Sequence, residues 1–128
     1  MILVDSDVLI AHLRGYELAH AWLRNARVSG PLSLSVVTIA EISGGMRSGE
    51  RREVWRLLDA FQAEPVSELV ARRAGELRRR FHRSHSGIGL ADYLIAATAD
   101  VHGAQLATLN VRHFPMFPDL IVPFELPS

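Results

Sequence analysis

The stretch Ile2-Leu3-Val4-Asp5 decides how the rest of the chain is read. Three consecutive apolar residues suit a strand covered on both faces, as in a parallel sheet flanked by helices. The run stops on a carboxylate. In open α/β sheets, ligand sites gather at the carboxyl ends of the strands, where Asp5 would project. The competing reading is that Asp5 only caps the next helix. That helix is expected over residues 8–14, capped by Ser6 or Asp7 and stopped by Gly15.

Outward from this start, strand-like and helix-like segments alternate. Residues 16–27 repeat apolar side chains at Leu18, Trp22 and Ala26, and at Ala19 and Leu23, a helical stripe. Gly30-Pro31 breaks it, and residues 32–35 read as a short strand. Helices are expected over 36–46 and 50–61, the second burying Val54, Trp55, Leu58 and Phe61. A short strand at 63–66 leads to an amphipathic helix at 67–82. A polar loop at 84–89 precedes a strongly apolar helix at 90–102, closed by Gly103, and a strand follows at 105–109. The last 14 residues hold four of the six prolines, with 120–122 as an edge-strand candidate. Such alternation argues an α/β layer fold with a parallel sheet, in one domain spanning 1–128.

Composition narrows the chemistry. The 128 residues carry 14 basic and 14 acidic side chains, and every basic one is Arg. Without Lys there is no P-loop lysine, no Schiff base and no lysine general base. Without Cys there is no disulfide, no thiolate nucleophile and no cysteine zinc site. The N-terminus has no basic region and acidifies at once, unlike a signal peptide. The longest stretch free of Asp, Glu and Arg, residues 28–40, contains Gly30 and Pro31 and is too short to span a bilayer. A soluble cytoplasmic protein is expected.

Three acids sit in apolar company. Asp5 ends the first strand. Glu41 follows Val36-Val37-Thr38-Ile39-Ala40, with no basic residue before Arg47. Asp92 is the only charge in residues 88–99 and falls in the first turn of its helix, where the helix dipole favours an anion. Unpaired carboxylates in such surroundings cost several kcal/mol unless they reach solvent or bind a cation. Asn110 follows the strand at 105–109 and suits a turn or a neutral oxygen ligand. Carboxylates converging on one cleft would repel each other unless some protonate or a cation neutralises them. Oxygen donors alone favour Mg²⁺ or Mn²⁺. Such an ion can bind phosphate oxygens and activate water, which needs neither Lys nor Cys.

At these four positions the sequence resembles the PIN-domain family, specifically the VapC-type toxin ribonucleases of toxin–antitoxin pairs. The matching segments are Ile2-Leu3-Val4-Asp5-Ser6-Asp7-Val8-Leu9-Ile10, Ser35-Val36-Val37-Thr38-Ile39-Ala40-Glu41-Ile42, Leu90-Ala91-Asp92-Tyr93-Leu94-Ile95-Ala96-Ala97-Thr98-Ala99 and Leu106-Ala107-Thr108-Leu109-Asn110-Val111-Arg112-His113-Phe114. The resemblance implies a PIN-like three-layer α/β/α sandwich with a central parallel sheet. It implies Asp5, Glu41 and Asp92 as metal ligands, with Asn110 joining them in catalysis of Mg²⁺- or Mn²⁺-dependent RNA hydrolysis. It implies a homodimer, bound by a small antitoxin into a heterotetramer or larger assembly. Two departures stand out. Many relatives have Asp where this chain has Asn110, which leaves the number of metals open. Asp7 stands where Asn, Ser or Thr is frequent, as a helix cap or as added negative charge. Ser6 and Thr108 match hydroxyl positions that hold water or an adjacent carboxylate. Two other readings stay open: a catalytically silent PIN scaffold working through protein contacts, and a PIN-type nuclease in RNA processing or acting on DNA.

Zero net charge hides segregation. Residues 47–83 carry 10 Arg against 6 acids, whereas residues 84–128 carry 1 Arg against 4 acids. Arg72, Arg79 and Arg83 share a helix face, with Arg73 and Arg80 beside them. This face is either solvated and stitched by Glu68–Arg72 and Glu76–Arg80 pairs, or a track for phosphates. Arg79, Arg80, Arg83 and Arg112 are the candidates for contact with RNA or an antitoxin. Trp22 and Trp55 are expected in the core or a dimer interface. The six His residues make no zinc pattern, and His113 is expected to serve turn packing more than phosphate contact.

Overall fold

Leu3 and Val4 are fully buried, and they pack into different hydrophobic clusters on opposite faces of one sheet. Alternation of side chains along a strand puts successive residues on opposite faces, so a strand with both covered must be the middle of three layers. The computed structural model in which this is seen describes residues 1–126. Pro127, which belongs to the proline-rich end, and Ser128 lie outside the described residues.

Among the described residues the four strands are β1 (Ile2–Val4), β2 (Ser33–Ser35), β3 (Gln62–Glu64) and β4 (Gln105–Ala107). All pair in parallel, in the order β3-β2-β1-β4. The helices are α1 (Ser6–Leu13), α2 (Glu17–Val28), α3 (Val36–Gly45), α4 (Arg51–Asp59), α5 (Glu68–Phe81) and α6 (Leu90–His102). Leu3 and Leu106 face the cluster built with α5 and α6, through Val70, Leu77, Tyr93 and Ile95. Val4 and Leu34 face the other, with Val8, Leu23, Ile42, Val54 and Leu58 from α1 to α4. Each fully buried aliphatic side chain of this kind contributes roughly 1.5–3 kcal/mol. The expected α/β/α sandwich with its central parallel sheet is what the chain forms. No helix among the described residues is long and apolar enough to cross a membrane.

The strand order places the site. The chain leaves β1 toward β2 on one side and returns to β4 on the other, so the connections diverge at the carboxyl ends of β1 and β4. A crevice opens at such a switch point. Asp5 follows β1 and Thr108 follows β4, side by side across it, with Asp5 N–H donating to Ala107 O at 2.9 Å. Gly103 closes α6 at φ 62°, the left-handed cap that glycine favours.

Several local expectations are corrected. The cap of α1 is Asp5, whose side chain accepts from Ser6 N–H, rather than Ser6 or Asp7. The strand ends one residue before the helix starts, and only Asp5 has the extended backbone a cap needs. The segment at 50–61 is a 3-10 turn (Ser48–Glu50) followed by α4, and Trp55 lies on its outer side with 36% exposure. Its neighbours Arg51, Arg52 and Arg56 make that face polar. At 120–122 there is one isolated parallel bridge, Ala107 to Ile121, in place of a strand.

Candidate active site

Asp5 is buried, at 4% exposure, and both carboxylate oxygens are held. Oδ1 accepts from Ser6 N–H at 2.8 Å, and Oδ2 accepts from the Thr108 hydroxyl at 2.7 Å. Loss of hydration pushes its carboxyl above the usual range. The Thr108 and Ser6 bonds pull it back, and the charge of Asp92 adds to the rise.

Ser6 ties the first acid to the second. Its hydroxyl donates to Glu41 Oε1 at 3.1 Å and lies 3.4 Å from Asp5 Oδ1. Glu41 comes from the middle of α3, a helix capped by Ser35 directly after β2 and packed against both α1 and α6. It stands at the exposed rim of the cleft. Partial loss of hydration raises its carboxyl first, and the charges of Asp5 and Asp92 raise it further against the Ser6 bond.

Asp92 enters from the first turn of α6. Its Oδ2 accepts from Gly89 N–H at 3.3 Å, which satisfies one of the free donors of the helix end. The same oxygen lies 3.0 Å from His113 Nδ1. Asp5, Glu41 and Asp92 thus come from three separate elements and feel each other's charge. They do not close on one point: among the described residues no three His, Cys, Asp or Glu side chains form a ready ligand cage. Ser6 stands between Asp5 and Glu41, and Asp92 is drawn toward Gly89 and His113.

Asp7 and His113 are the members that sequence reasoning undervalued. Asp7 Oδ2 accepts from Leu109 N–H at 3.0 Å and lies 3.3 Å from the Thr108 hydroxyl, while its Oδ1 is buried without a partner among the described residues. Burial and the neighbouring Asp5 charge push its carboxyl up to about 7. Asp7 therefore clamps the turn after β4 and does not cap α1. The signal was present in the Asp5-Ser6-Asp7 spacing, because two carboxylates one residue apart at a strand end share one crevice. His113 sits on the 3-10 turn Val111–His113 and faces Asp92 and Asn110, so it belongs to the cleft and is more than turn packing. Asn110 N–H donates to the Thr108 hydroxyl at 3.0 Å, so Thr108 links Asp5, Asp7 and Asn110.

Arg79, Arg80 and Arg83 are exposed at the far end of α5. The loop from there leads straight to Asp92, which puts the basic end of α5 on the acid side of the sheet. The pairing on α5 is partly corrected. Arg72 pairs with Glu68 at 3.2 Å, as expected, but Glu76 pairs with Arg73 at 2.9 Å and not with Arg80. Arg73 leans toward α6, where it also meets Asp100, and so draws Glu76 away. Arg112 is exposed beside His113.

Two grooves flank the cleft. One, of about 450 Å³, has Ile10, Leu13, Ile42, Met46 and Val54 along it and Arg14, Glu41, Arg47 and Glu50 among its polar residues. The other, of about 430 Å³, includes Asp7, Arg14, Leu109 and Asn110.

Comparison with known proteins agrees with this architecture. The PIN domain profile matches residues 2–116. The chain is 65% identical over 128 residues to Ribonuclease VapC10 of Mycobacterium tuberculosis, covering 100% of this chain and 96% of that protein. It is 42% identical over 125 residues to Ribonuclease VapC19 of the same species, covering 97% and 100%. Among solved structures, a toxin–antitoxin complex from Klebsiella pneumoniae superposes with a TM-score of 0.80 at 26% identity, covering 98% of this chain and 100% of that one. Fold, cleft and relatives agree: the chain belongs to the PIN-domain family, among its VapC ribonucleases.

Proposed function

We propose that the chain is an endoribonuclease that hydrolyses RNA phosphodiester bonds with Mg²⁺ or Mn²⁺ and acts as the toxin of a toxin–antitoxin pair. The single observation that carries this reading is the set of acids at the switch point. Asp5, Asp7 and Glu41 all have carboxyls pushed up first by lost hydration, with the charge of Asp5 adding at Asp7 and Glu41 and that of Asp92 adding at Asp5 and Glu41. A fold keeps such a strained group of like charges where a cation is to be held. The VapC names of the relatives and the toxin–antitoxin neighbour support the same reading.

The donor set fits a hard dication. It consists of oxygen alone, and the buried Asp7 Oδ1 has no partner among the described residues. Asp5, Glu41 and Asp92 would hold the ion. The chemistry supplied on binding is neutralisation of the phosphate and a water of lowered pKa. The chain's own residues do the rest. Thr108 and Ser6 fix the two oxygens of Asp5, and Ser6 holds Glu41 in reach. His113 orients Asp92. Exposed Arg79, Arg80, Arg83 and Arg112 draw in the RNA backbone through charge.

The antitoxin is proposed to lie in the 450 Å³ groove, whose apolar floor and mixed rim of Arg14, Arg47, Glu41 and Glu50 suit an amphipathic segment reaching the cleft. A homodimer is part of the reading, supported by exposed Val36, Leu90 and Val111. These side chains follow the carboxyl ends of β2 and β4 or begin α6. Sedimentation of the purified chain, alone and with the antitoxin, tests both assemblies. The activity test is cleavage of RNA by purified protein with Mg²⁺, Mn²⁺ or EDTA. Cleavage should need the cation and vanish in Asp5→Ala and Asp92→Ala, and undiminished cleavage by both variants would sink the assignment.

A further inference from the structure

Asp5 is held through Thr108, and Thr108 is held in turn by a segment that carries none of the acids of the site. Thr108 is fully buried, and its hydroxyl donates to Asp5 Oδ2 at 2.7 Å. The side chain is branched at Cβ, so χ1 is stiff and the hydroxyl points where the peptide aims it. Three consecutive N–H groups fix that peptide and the turn after it. Leu109 N–H donates to Asp7 Oδ2 at 3.0 Å and Asn110 N–H to the Thr108 hydroxyl at 3.0 Å, both within the site. Thr108 N–H instead donates to Ile121 O at 3.0 Å.

Ile121 belongs to segment 118–126, which crosses the outer edge of β4. β4 is the last strand of the sheet and pairs with β1 on its inner side. On the outer side Ile121 N–H donates to Leu106 O at 2.9 Å, so two bonds close a bridge around Ala107. A sheet edge otherwise leaves such groups without a protein partner. The bridge is isolated and depends on anchors at either side. Leu120 packs against the cluster of α5 and α6, and Phe124 against the cluster of α1 to α4. The segment thus passes from one face of the sheet to the other, with Ile121 at the crossing. Pro118 and Pro123 fix φ on each side, which lowers the entropy lost when the segment docks. Beyond Phe124, Leu126 reaches the 430 Å³ groove beside Asp7, Leu109 and Asn110.

We propose that segment 118–126 positions the acid site: the Ile121 backbone aims Thr108, Thr108 aims Asp5, and Phe124 anchors the segment. Ile121 and Phe124 are positioning residues, acting through Thr108 without touching RNA or the ion. The proposal rests on the reading of the cleft as the cation site of a ribonuclease.

The test uses the full chain, with Mn²⁺ affinity by calorimetry, amide exchange at single residues by NMR and single-turnover RNA cleavage. Ile121→Pro removes the N–H given to Leu106 and should break the bridge. Phe124→Ala removes the anchor, keeps the backbone groups of the bridge, and decides alone if Ile121→Pro does not fold. In Phe124→Ala the Thr108 amide should exchange at least about ten-fold faster, and the Asp5 amide, bonded to Ala107 O on the inner side, should change far less. Mn²⁺ affinity should fall about ten-fold, the low end for a group that orients a metal ligand. The maximal cleavage rate should fall with it, and RNA affinity in EDTA should stay. Phe124→Leu should recover most of the loss. In a Thr108→Val background, Phe124→Ala should leave Mn²⁺ affinity almost unchanged, because the two residues act in series. Val70→Ala, a core truncation on α5, controls for lost stability and should bind Mn²⁺ like the wild type. Unchanged Mn²⁺ affinity in Phe124→Ala beside a faster Thr108 amide would overturn the proposal. An equal drop in Val70→Ala, or an unaltered Thr108 amide in the segment variants, would do the same. A wild type that binds Mn²⁺ and leaves RNA whole removes the ribonuclease reading alone, with the affinities still deciding the proposal. A wild type that binds no Mn²⁺ removes both.

Discussion

The acid cleft and the arginine face of α5 hold charge in opposite ways. In the cleft, Asp5 and Thr108 are bonded across 103 positions of sequence, and the contact is buried. On α5, Arg72 and Glu68 are bonded across four positions and both side chains are mostly in water. The buried set raises carboxyl pKa values and stores repulsion. The exposed pair is screened and contributes a few tenths of a kcal/mol at most. Equal numbers of acidic and basic residues therefore do not cancel, because burial decides which charges carry energy.

The strongest way to break this comparison is Asp5→Asn. RNA cleavage measured in single turnover should fall at least about a hundred-fold, in the range seen when one preorganised electrostatic group is lost. A variant that still cuts near the wild-type rate would remove the cleft from the mechanism.

Stability against pH comes next. Asp7 moves from 3.8 toward about 7 on folding, so between these values the folded chain binds more protons than the unfolded one. Stability is then fully present below about pH 4 for this group and is lost as pH rises through 7, on the order of a few kcal/mol. Asp5 and Glu41 act in the same direction. Urea melts in EDTA should show the decline for the wild type and a smaller one for Asp7→Asn. Mn²⁺ added at pH 8 should restore part of the loss, since a ligand that binds only the folded state stabilises it. Melts that are flat from pH 4 to 8 would contradict the buried-charge account.

Thr108→Val sharpens the comparison at one bond. It removes a donor to Asp5 and the acceptor for Asn110 N–H, and should cost about 1–3 kcal/mol in chemical denaturation. A neutral effect would mean that the hydroxyl is replaceable by water.

The arginine face should respond in binding rather than folding. Replacing Arg79, Arg80 and Arg83 together by Gln should lower the salt slope of RNA binding by up to about 2, at 0.7 for each phosphate contact, with the denaturation midpoint unchanged. The smallest effect belongs to Glu68→Gln, where the same midpoint should shift by no more than a few tenths of a kcal/mol. A large shift there would make α5 structural.

Much of this molecule was legible because the informative residues are local exceptions. An apolar triplet ending in Asp5 marks both a buried strand and the acid that enters the cleft at its carboxyl end. Asp92, alone in an apolar helix, marks the next acid. The misreadings arose where one residue had two partners to choose between. Trp55 fits an apolar stripe, yet the Arg residues around it keep its face outward. Glu76 lies within helical reach of both Arg80, four residues on, and Arg73, three residues back, and the packing of α5 on α6 makes Arg73 the partner. His113 stands three residues from Asn110, a spacing that says nothing of Asp92, which arrives from a different helix.

The chain by itself determined the layers and the parallel sheet and singled out the acids that sit in apolar company, since hydrophobic period and charge placement are properties of neighbours in sequence. Tertiary structure decided which atoms face each other: Ser6 between Asp5 and Glu41, Thr108 among Asp5, Asp7 and Asn110, and His113 against Asp92. These contacts join separate elements at the switch point of the sheet. Desolvation and mutual repulsion, which set the chemistry of the acids, exist only once the sheet has brought those elements together.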